Sequence, residues 1–128
     1  MFVNPFRYTC DTISSCIYGF EAKSFTPDNA FFFEKGKQLI NGVVDSVKSF
    51  LPFKRLPADV EKFFMDITEE AIKFRSDNKI TRDDFLAHIM TLKEKKNISD
   101  LDAAGHCVTL FLDGYETTSL VMHFMLFE

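Results

Sequence analysis

Two carboxylates, a glycine and three aliphatic hydroxyls lie close together near the carboxyl end of this chain. Residues 113–119 read DGYETTS and interrupt a long apolar stretch that is typical of a helix. A carboxyl group beside a hydroxyl can pass protons to a ligand. In this interpretation Glu116 and Thr117 relay protons, and Gly114 lets a large planar or gaseous ligand approach the helix backbone.

A purely structural explanation of the same residues stays open. Glycine costs about 1 kcal/mol relative to alanine inside a helix, so Gly114 could mark a kink. Thr117, Thr118 and Ser119 could each donate a hydrogen bond to a carbonyl one turn back. The residues alone do not decide between the two explanations.

The histidines are poor candidates for a metal site. His106 and Cys107 are adjacent, so their side chains diverge by about 100° around a helix. His88 and His123 have no partner at the spacing of metal ligands. We therefore expect no metal ligand in this chain.

The three cysteines are better explained as small buried hydrophobes than as nucleophiles. Cys10, Cys16 and Cys107 are odd in number and lack the spacing of a disulfide framework. This pattern favours reduced thiols in a compartment facing the cytosol. None has a basic or helix-start neighbourhood that would lower its pKa.

A calcium-binding loop can be tested on residues 73–84. Aligning Ile80 with the eighth loop position puts Lys73 first and Arg75 third, where carboxylates should bind the ion. Asn78 would replace the glycine of the sharp turn. These residues exclude the calcium interpretation and favour a solvated loop followed by a capped helix.

Composition indicates one globular unit rather than a disordered or nucleic-acid-binding chain. The 128 residues are 46% hydrophobic and include 16 Phe and no Trp, which implies a large apolar interior or covered greasy surfaces. The net charge of −4 argues against nucleic acid as a partner. We predict no signal peptide, and no membrane span because acidic residues interrupt the most apolar stretch.

Helical periodicity and capping residues predict a mainly α fold with five helices. Asn4 and Pro5 begin the first, which ends at Gly19, and Thr26 and Pro27 begin the second, which ends near Ile40. The other three are expected to begin near Pro57, Thr81 and Ser99, the last continuing to Glu128. An apolar stripe of the third helix predicts that its Phe63, Phe64 and Phe74 lie in the core.

Two further segments carry expectations. The fifth helix is apolar on most faces, so we expect it to be buried on most faces. Between the second and third helices, residues 43–57 (VVDSVKSFLPFKRLP) form a linker broken by prolines. Its aromatic residues beside Lys48, Lys54 and Arg55 could contact a membrane surface or fill a core, and both remain open.

At residues 113–118 (DGYETT) the sequence resembles the motif of the long central helix of cytochrome P-450, the haem-thiolate monooxygenases. Other segments resemble this family in the same order along the chain, with phrasing nearest to insect microsomal members. They are residues 7–13 with 19–21 (E helix), 33–37 (F helix), 56–65 (G helix) and 82–86 (H helix). The chain is thus identified as an internal fragment, residues 1–128, of a single cytochrome P-450 domain, with an incomplete fold of the E, F, G, H and I helix regions.

The resemblance implies a function. A cysteinate-bound haem takes up O2, receives electrons from an NADPH-dependent reductase, and inserts one oxygen atom into a small lipophilic substrate. Thr117 and Glu116 would be the catalytic hydroxyl and acid, and Gly114 and Asp113 would lie near haem and oxygen. Residues 27–42 and 57–77 would roof the substrate pocket, and the linker would face the membrane of the endoplasmic reticulum from the cytosolic side.

Two departures from the family pattern matter. Asp113 occupies the position of a small residue, which puts the ordinary oxygen groove in doubt. The haem-binding loop with its ligand cysteine, the Glu-x-x-Arg motif and the amino-terminal anchor are missing. We therefore expect an inactive piece of an enzyme, with a non-enzymatic all-α interaction module as the rival interpretation.

Overall fold

The chain folds as a bundle of α-helices in the computed structural model, which describes residues 4–27, 30–48 and 57–127. The five helices of these residues are α1 (Pro5–Tyr18), α2 (Phe31–Lys48), α3 (Ala58–Asn78), α4 (Phe85–Lys96) and α5 (Asp100–Phe127). The predicted mainly α fold is confirmed. Within the described ranges, none of the helices has the length and hydropathy that crossing a membrane requires.

Helix α1 has the predicted boundaries. The Asn4 side chain accepts a hydrogen bond from the backbone N–H of Phe6 at 3.1 Å, and Pro5 occupies the first helical position. Gly19 ends the helix in the left-handed conformation, with φ at 77°, and its N–H donates to the carbonyl of Ser15. Glycine adopts this conformation at no steric cost, which suits Gly19 to the end of a helix.

The predicted start of α2 at Thr26 and Pro27 is wrong, because the helix begins at Phe31. The Thr26 N–H donates to the carbonyl of Lys23 at 2.9 Å, so this pair belongs to a turn before the helix. The turn is anchored to α1, since the carboxylate of Asp11 accepts a hydrogen bond from the backbone N–H of residue 24. A tertiary contact therefore overrides a local cap-and-proline pattern.

The predicted end of α2 at Ile40 is also wrong, because the helix continues to Lys48 across part of the expected linker. Val44 still packs against the core. The cost of Gly42, about 1 kcal/mol, is small enough for the helix to continue through it. The rest of the proposed membrane-facing segment, residues 49–56, lies outside the described residues.

Helix α3 confirms two of its three predicted core phenylalanines. Phe64 is 1% exposed and Phe63 is partly buried, whereas Phe74 is 61% exposed. The prediction for Phe74 is wrong because the next residue, Arg75, takes the inward direction in the last turn of α3. Adjacent side chains diverge by about 100°, which turns the Phe74 ring towards the surface.

Helix α4 is capped three residues later than the predicted Thr81, and its first residue is Phe85. Its cap is Asp84, whose Oδ1 accepts a hydrogen bond from the N–H of Ala87 at 3.1 Å. The same carboxylate pairs with Arg75 at 2.6 Å, which fixes Asp84 in the capping position. Of the predicted inner face, Ile89 is buried, and Phe85 and Leu92 pack against the core.

Phenylalanine rings join α2, α3 and α5 at the centre of the core. The ring of Phe32 lies 5.9 Å from that of Phe64 and 5.5 Å from that of Phe111, and Phe64 and Phe111 are 5.6 Å apart. Tilted and edge-to-face rings at such distances are mutually attractive. This cluster fixes the depth at which α5 crosses the other helices.

Candidate functional site

One face of α5 is buried against the rest of the bundle. Its buried residues follow each other at helical spacing and are Ala103, Ala104, Cys107, Phe111, Tyr115 and Ser119. The capping interaction at Ser99 fixes the start of the helix, since its Oγ accepts from the N–H of Asp102 at 3.1 Å. The burial of this face determines the direction in which residues 113–117 project.

The carboxylates and the hydroxyl of the predicted site share the opposite face. At about 100° per residue, Asp113, Glu116 and Thr117 fall within an arc of about 100°. Asp113 and Thr117 are exposed, and Glu116 is partly buried. The structure therefore brings three of the four predicted residues together on an accessible surface of the described chain.

The hydroxyls of the motif make the hydrogen bonds of the structural explanation. Thr117 Oγ1 donates to the carbonyl of Asp113 in a short contact, and Ser119 Oγ donates to the carbonyl of Glu116 at 2.8 Å. Such bonds are common for Thr and Ser inside helices. They do not exclude chemistry, because the Thr117 hydroxyl is exposed and keeps acceptor capacity.

Gly114 lies about 60° outside this arc, on the buried side of α5, and contacts α1. The atoms nearest to the position of an added Cβ belong to Ile13. Gly114 therefore faces a different side of α5 from the accessible face that Asp113, Glu116 and Thr117 share. Sequence reasoning did not find Ile13, because nothing local links two residues a hundred positions apart.

Tyr115 is a second residue of the site that the sequence interpretation left unassigned. Its ring stacks on Phe111 with centroids 5.2 Å apart and meets the edge of Phe6 at 6.2 Å. Burial raises the pKa of its phenol, so it remains protonated at neutral pH. The four-residue spacing from Phe111 was the available signal for this packing role.

The last turns of α5 expose a continuous apolar surface. The exposed large side chains there are Leu120, Val121, Phe124, Met125, Leu126 and Phe127. The prediction that α5 is buried on most faces is therefore wrong for this chain, in which one face is covered. A helix that is apolar all round requires further partners.

Two cysteines are buried as predicted and one is not. Cys10 and Cys107 are 0% exposed, and burial raises the pKa of each thiol to about 11. Cys16 is exposed on α1, so the prediction is wrong for this residue. Among the described residues, no group of three His, Cys, Asp or Glu side chains could hold a metal ion.

Comparison with known proteins establishes the family. The model of the family "Cytochrome P450" matches residues 2–128, and the chain therefore belongs to the cytochrome P450 family. This result confirms the family that the motif at residues 113–118 indicated.

Curated relatives place the chain among insect members. It is 31% identical over 144 residues to "Probable cytochrome P450 6a21" of Drosophila melanogaster, covering 95% of this chain and 29% of the relative. It is 32% identical over 141 residues to "Cytochrome P450 6A1" of Musca domestica, covering 95% of this chain and 28% of the relative. The chain thus spans less than a third of the length of these relatives.

Proposed function

We propose that the chain is the central part of a haem-thiolate monooxygenase that inserts one oxygen atom of O2 into a small lipophilic substrate. Membership of the cytochrome P450 family supports this proposal. The observation that carries it is the shared accessible face of Asp113, Glu116 and Thr117 on α5. Carboxylates and a hydroxyl beside an apolar surface suit proton delivery to a ligand that covers that surface.

The donor groups present fit the flank of a haem and not its axial ligation. A haem thiolate requires a deprotonated cysteine, whereas Cys10 and Cys107 are buried with raised pKa values, and Cys16 lies on α1 and not on the open face of α5. The open face of α5, by contrast, suits a large planar group beside proton donors. We assign the iron ligand to a cysteine outside these 128 residues and place Asp113 near haem and oxygen, whereas Gly114 faces Ile13 of α1.

When bound, haem would supply the iron at which O2 is activated with two electrons from an NADPH-dependent reductase. The chain would supply the protons. Thr117 Oγ1 now donates to the carbonyl of Asp113, so it must rotate to donate outwards. Losing that hydrogen bond costs about 1 kcal/mol, and Glu116, one residue before, would restore the transferred proton.

Asp113 gives this proposal a feature of its own. It lies about 40° from Thr117 on the helix surface and is exposed. A second carboxylate on the same face would hold water beside the Thr117 hydroxyl. We assign Asp113 to proton supply from solvent rather than to an apolar oxygen groove.

The remaining partners follow from the family and from the helices around α5. Residues 27–42 and 57–77, which include most of α2 and α3, would roof the pocket of the lipophilic substrate. The segment before α3 would touch the cytosolic face of the endoplasmic reticulum membrane. The net charge of −4 argues against nucleic acid as a partner.

The test is the sequence that flanks this frame in the transcript, followed by expression of the whole reading frame. We expect a downstream Glu-x-x-Arg motif and a haem-ligand cysteine, and a reduced carbon-monoxide spectrum of thiolate haem from the complete product. The 128-residue chain alone should give no such spectrum. A thiolate-haem spectrum from this chain alone would overturn the assignment.

The exposed apolar surface of residues 120–127 favours one rival function, an all-α module that binds another protein. This rival requires a chain that is monodisperse and unfolds cooperatively by itself. A transcript closed by stop codons on both sides, together with such behaviour, would support the module. An open frame that encodes the haem loop would exclude it.

A further inference from the structure

Helix α5 approaches α1 closely at the glycine of the site motif. A Cβ built on Gly114 would lie 2.5 Å from Ile13 Cδ1 and 3.1 Å from Ile13 Cγ1. Real Cβ atoms essentially never come within 3.0 Å of another heavy atom. The Ile13 side chain of α1 therefore packs directly against the backbone of α5 at this turn.

The direction of this contact differs from that of the site. On the helix surface Gly114 is about 100° from Asp113 and about 160° from Glu116. The missing side chain of Gly114 thus leaves room for α1 and not for a group on the carboxylate face. Ile13 is β-branched and keeps one χ1 rotamer in a helix, so its Cγ1 stays 3.1 Å from the added Cβ, and only Cδ1 can move aside, by rotation about χ2.

A second close contact holds the same turn from another side. A Cβ on Gly36 of α2 would lie 2.7 Å from Cζ of Phe111, which is 0% exposed. Phe111 and Gly114 are three residues apart, so α1 and α2 contact one turn of α5 from two directions. These contacts leave little freedom for α5 to rotate or slide.

We infer that Gly114 is a positioning residue, which lets Ile13 set the rotation and height of the turn that carries Glu116 and Thr117. The positioning of those two residues for proton delivery rests on the proposed function. The packing itself does not. The two parts can therefore be tested separately.

The chain provides a matched control for the packing part in Gly105, on the same helix. A Cβ on Gly105 meets no atom within 4 Å. Gly105→Ala should raise the folding equilibrium constant, because alanine is the better helix former. Gly114→Ala gains the same propensity but overpacks the contact with α1, and its folding constant should fall at least about tenfold below that of Gly105→Ala.

The partner is identified by a double-mutant cycle in the 128-residue chain, with urea unfolding followed by far-UV circular dichroism. Ile13→Val removes Cδ1, the atom nearest to the added Cβ. In the Ile13→Val background, most of the loss caused by Gly114→Ala should disappear. Equal stability of Gly114→Ala and Gly105→Ala would overturn the inference, and so would a loss that Ile13→Val leaves unchanged.

The positioning of Glu116 and Thr117 by Gly114 is tested in the haem-loaded parent enzyme, by measuring the hydrogen peroxide released per NADPH consumed. Gly114→Ala should raise this ratio about threefold or more, and Ile13→Val in the same molecule should restore it. An unchanged ratio in Gly114→Ala would overturn the positioning role. A parent that binds no thiolate haem while the stability cycle holds would instead refute the proposed function and leave the packing intact.

Discussion

Replacing Arg75 by Met should destabilise the bundle more than breaking an exposed ion pair does. Its guanidinium donates to both carboxylate oxygens of Asp84 at 2.6 Å and to the carbonyl of Tyr18 at 3.2 Å. Arg75 is 5% exposed. One side chain thereby joins the end of α3, the start of α4 and the end of α1.

The expected loss follows from the charge that the substitution leaves behind. The Asp84 side chain is 8% exposed, so Arg75→Met leaves a nearly buried carboxylate with the half-exposed Arg82 at 3.3 Å as its remaining cation. Removing one partner of a buried pair costs about 3–5 kcal/mol. Since Arg82 compensates in part, we expect about 3 kcal/mol, and less in the double variant with Asp84→Asn, which leaves no carboxylate.

The loss should depend on pH with a definite sign. Burial by itself raises the pKa of Asp84, but hydrogen bonds from Arg75 and the Ala87 N–H outweigh it, and the net pKa is lowered. The carboxylate therefore stabilises the fold above the unfolded pKa of about 3.9, and this contribution disappears as the pH falls through the lowered folded pKa. Without Arg75, the burial of Asp84 dominates its pKa. The free energy of unfolding that Arg75→Met loses relative to the unsubstituted chain should therefore be smaller at pH 3.5 than at pH 7.

The assay is urea unfolding of the 128-residue chain at pH 7 and pH 3.5, followed by far-UV circular dichroism. Lys93→Met is the control, because it breaks the exposed pair between Lys93 and Asp100 and should cost less than about 1 kcal/mol. If Arg75→Met cost no more than Lys93→Met at pH 7, the buried pair of Arg75 and Asp84 would not stabilise the bundle more than an exposed pair does. An equal loss at both pH values would refute the linkage to Asp84.

Two further predictions concern the site and the thiols. In the haem-loaded parent, Thr117→Val should raise peroxide release per NADPH about tenfold, and the neighbouring Thr118→Val should change it less; equal effects would contradict the assignment of Thr117. In the native chain at pH 7, only exposed Cys16 should react rapidly with an aromatic disulfide reagent, while Cys10 and Cys107, with thiol pKa values of about 11, should react after unfolding. Rapid reaction of two or more thiols would contradict the described packing.

Local patterns predict helix ends correctly when the capping interactions are made by residues close in sequence. At Asn4 and Pro5 the cap bonds to the second residue after it, and Gly19 ends α1 in a conformation that its own backbone permits. At Thr26 and Pro27 the same pattern fails. The turn there is held by Asp11 of α1, a partner that no local window contains.

The start of α4 shows the same distinction in a form that affects function. Thr81 and Asp84 both have side chains that can cap a helix, and the sequence predicts a start near Thr81. The structure selects Asp84, because Arg75 pairs with its carboxylate from the preceding helix. The sequence alone shows Arg75 only as a cation that excludes a calcium loop. Its pairing with Asp84 becomes visible only in the folded chain.

The site motif could be found from the sequence, but its orientation could not. Residue types alone allowed Gly114 to face a ligand, whereas the folded chain turns it towards Ile13 of α1. The carboxylates and the Thr117 hydroxyl lie instead on the face that the bundle leaves uncovered. Because Gly114 meets α1 while Asp113 and Thr117 face outwards, packing and chemistry can share one turn without competing for the same surface.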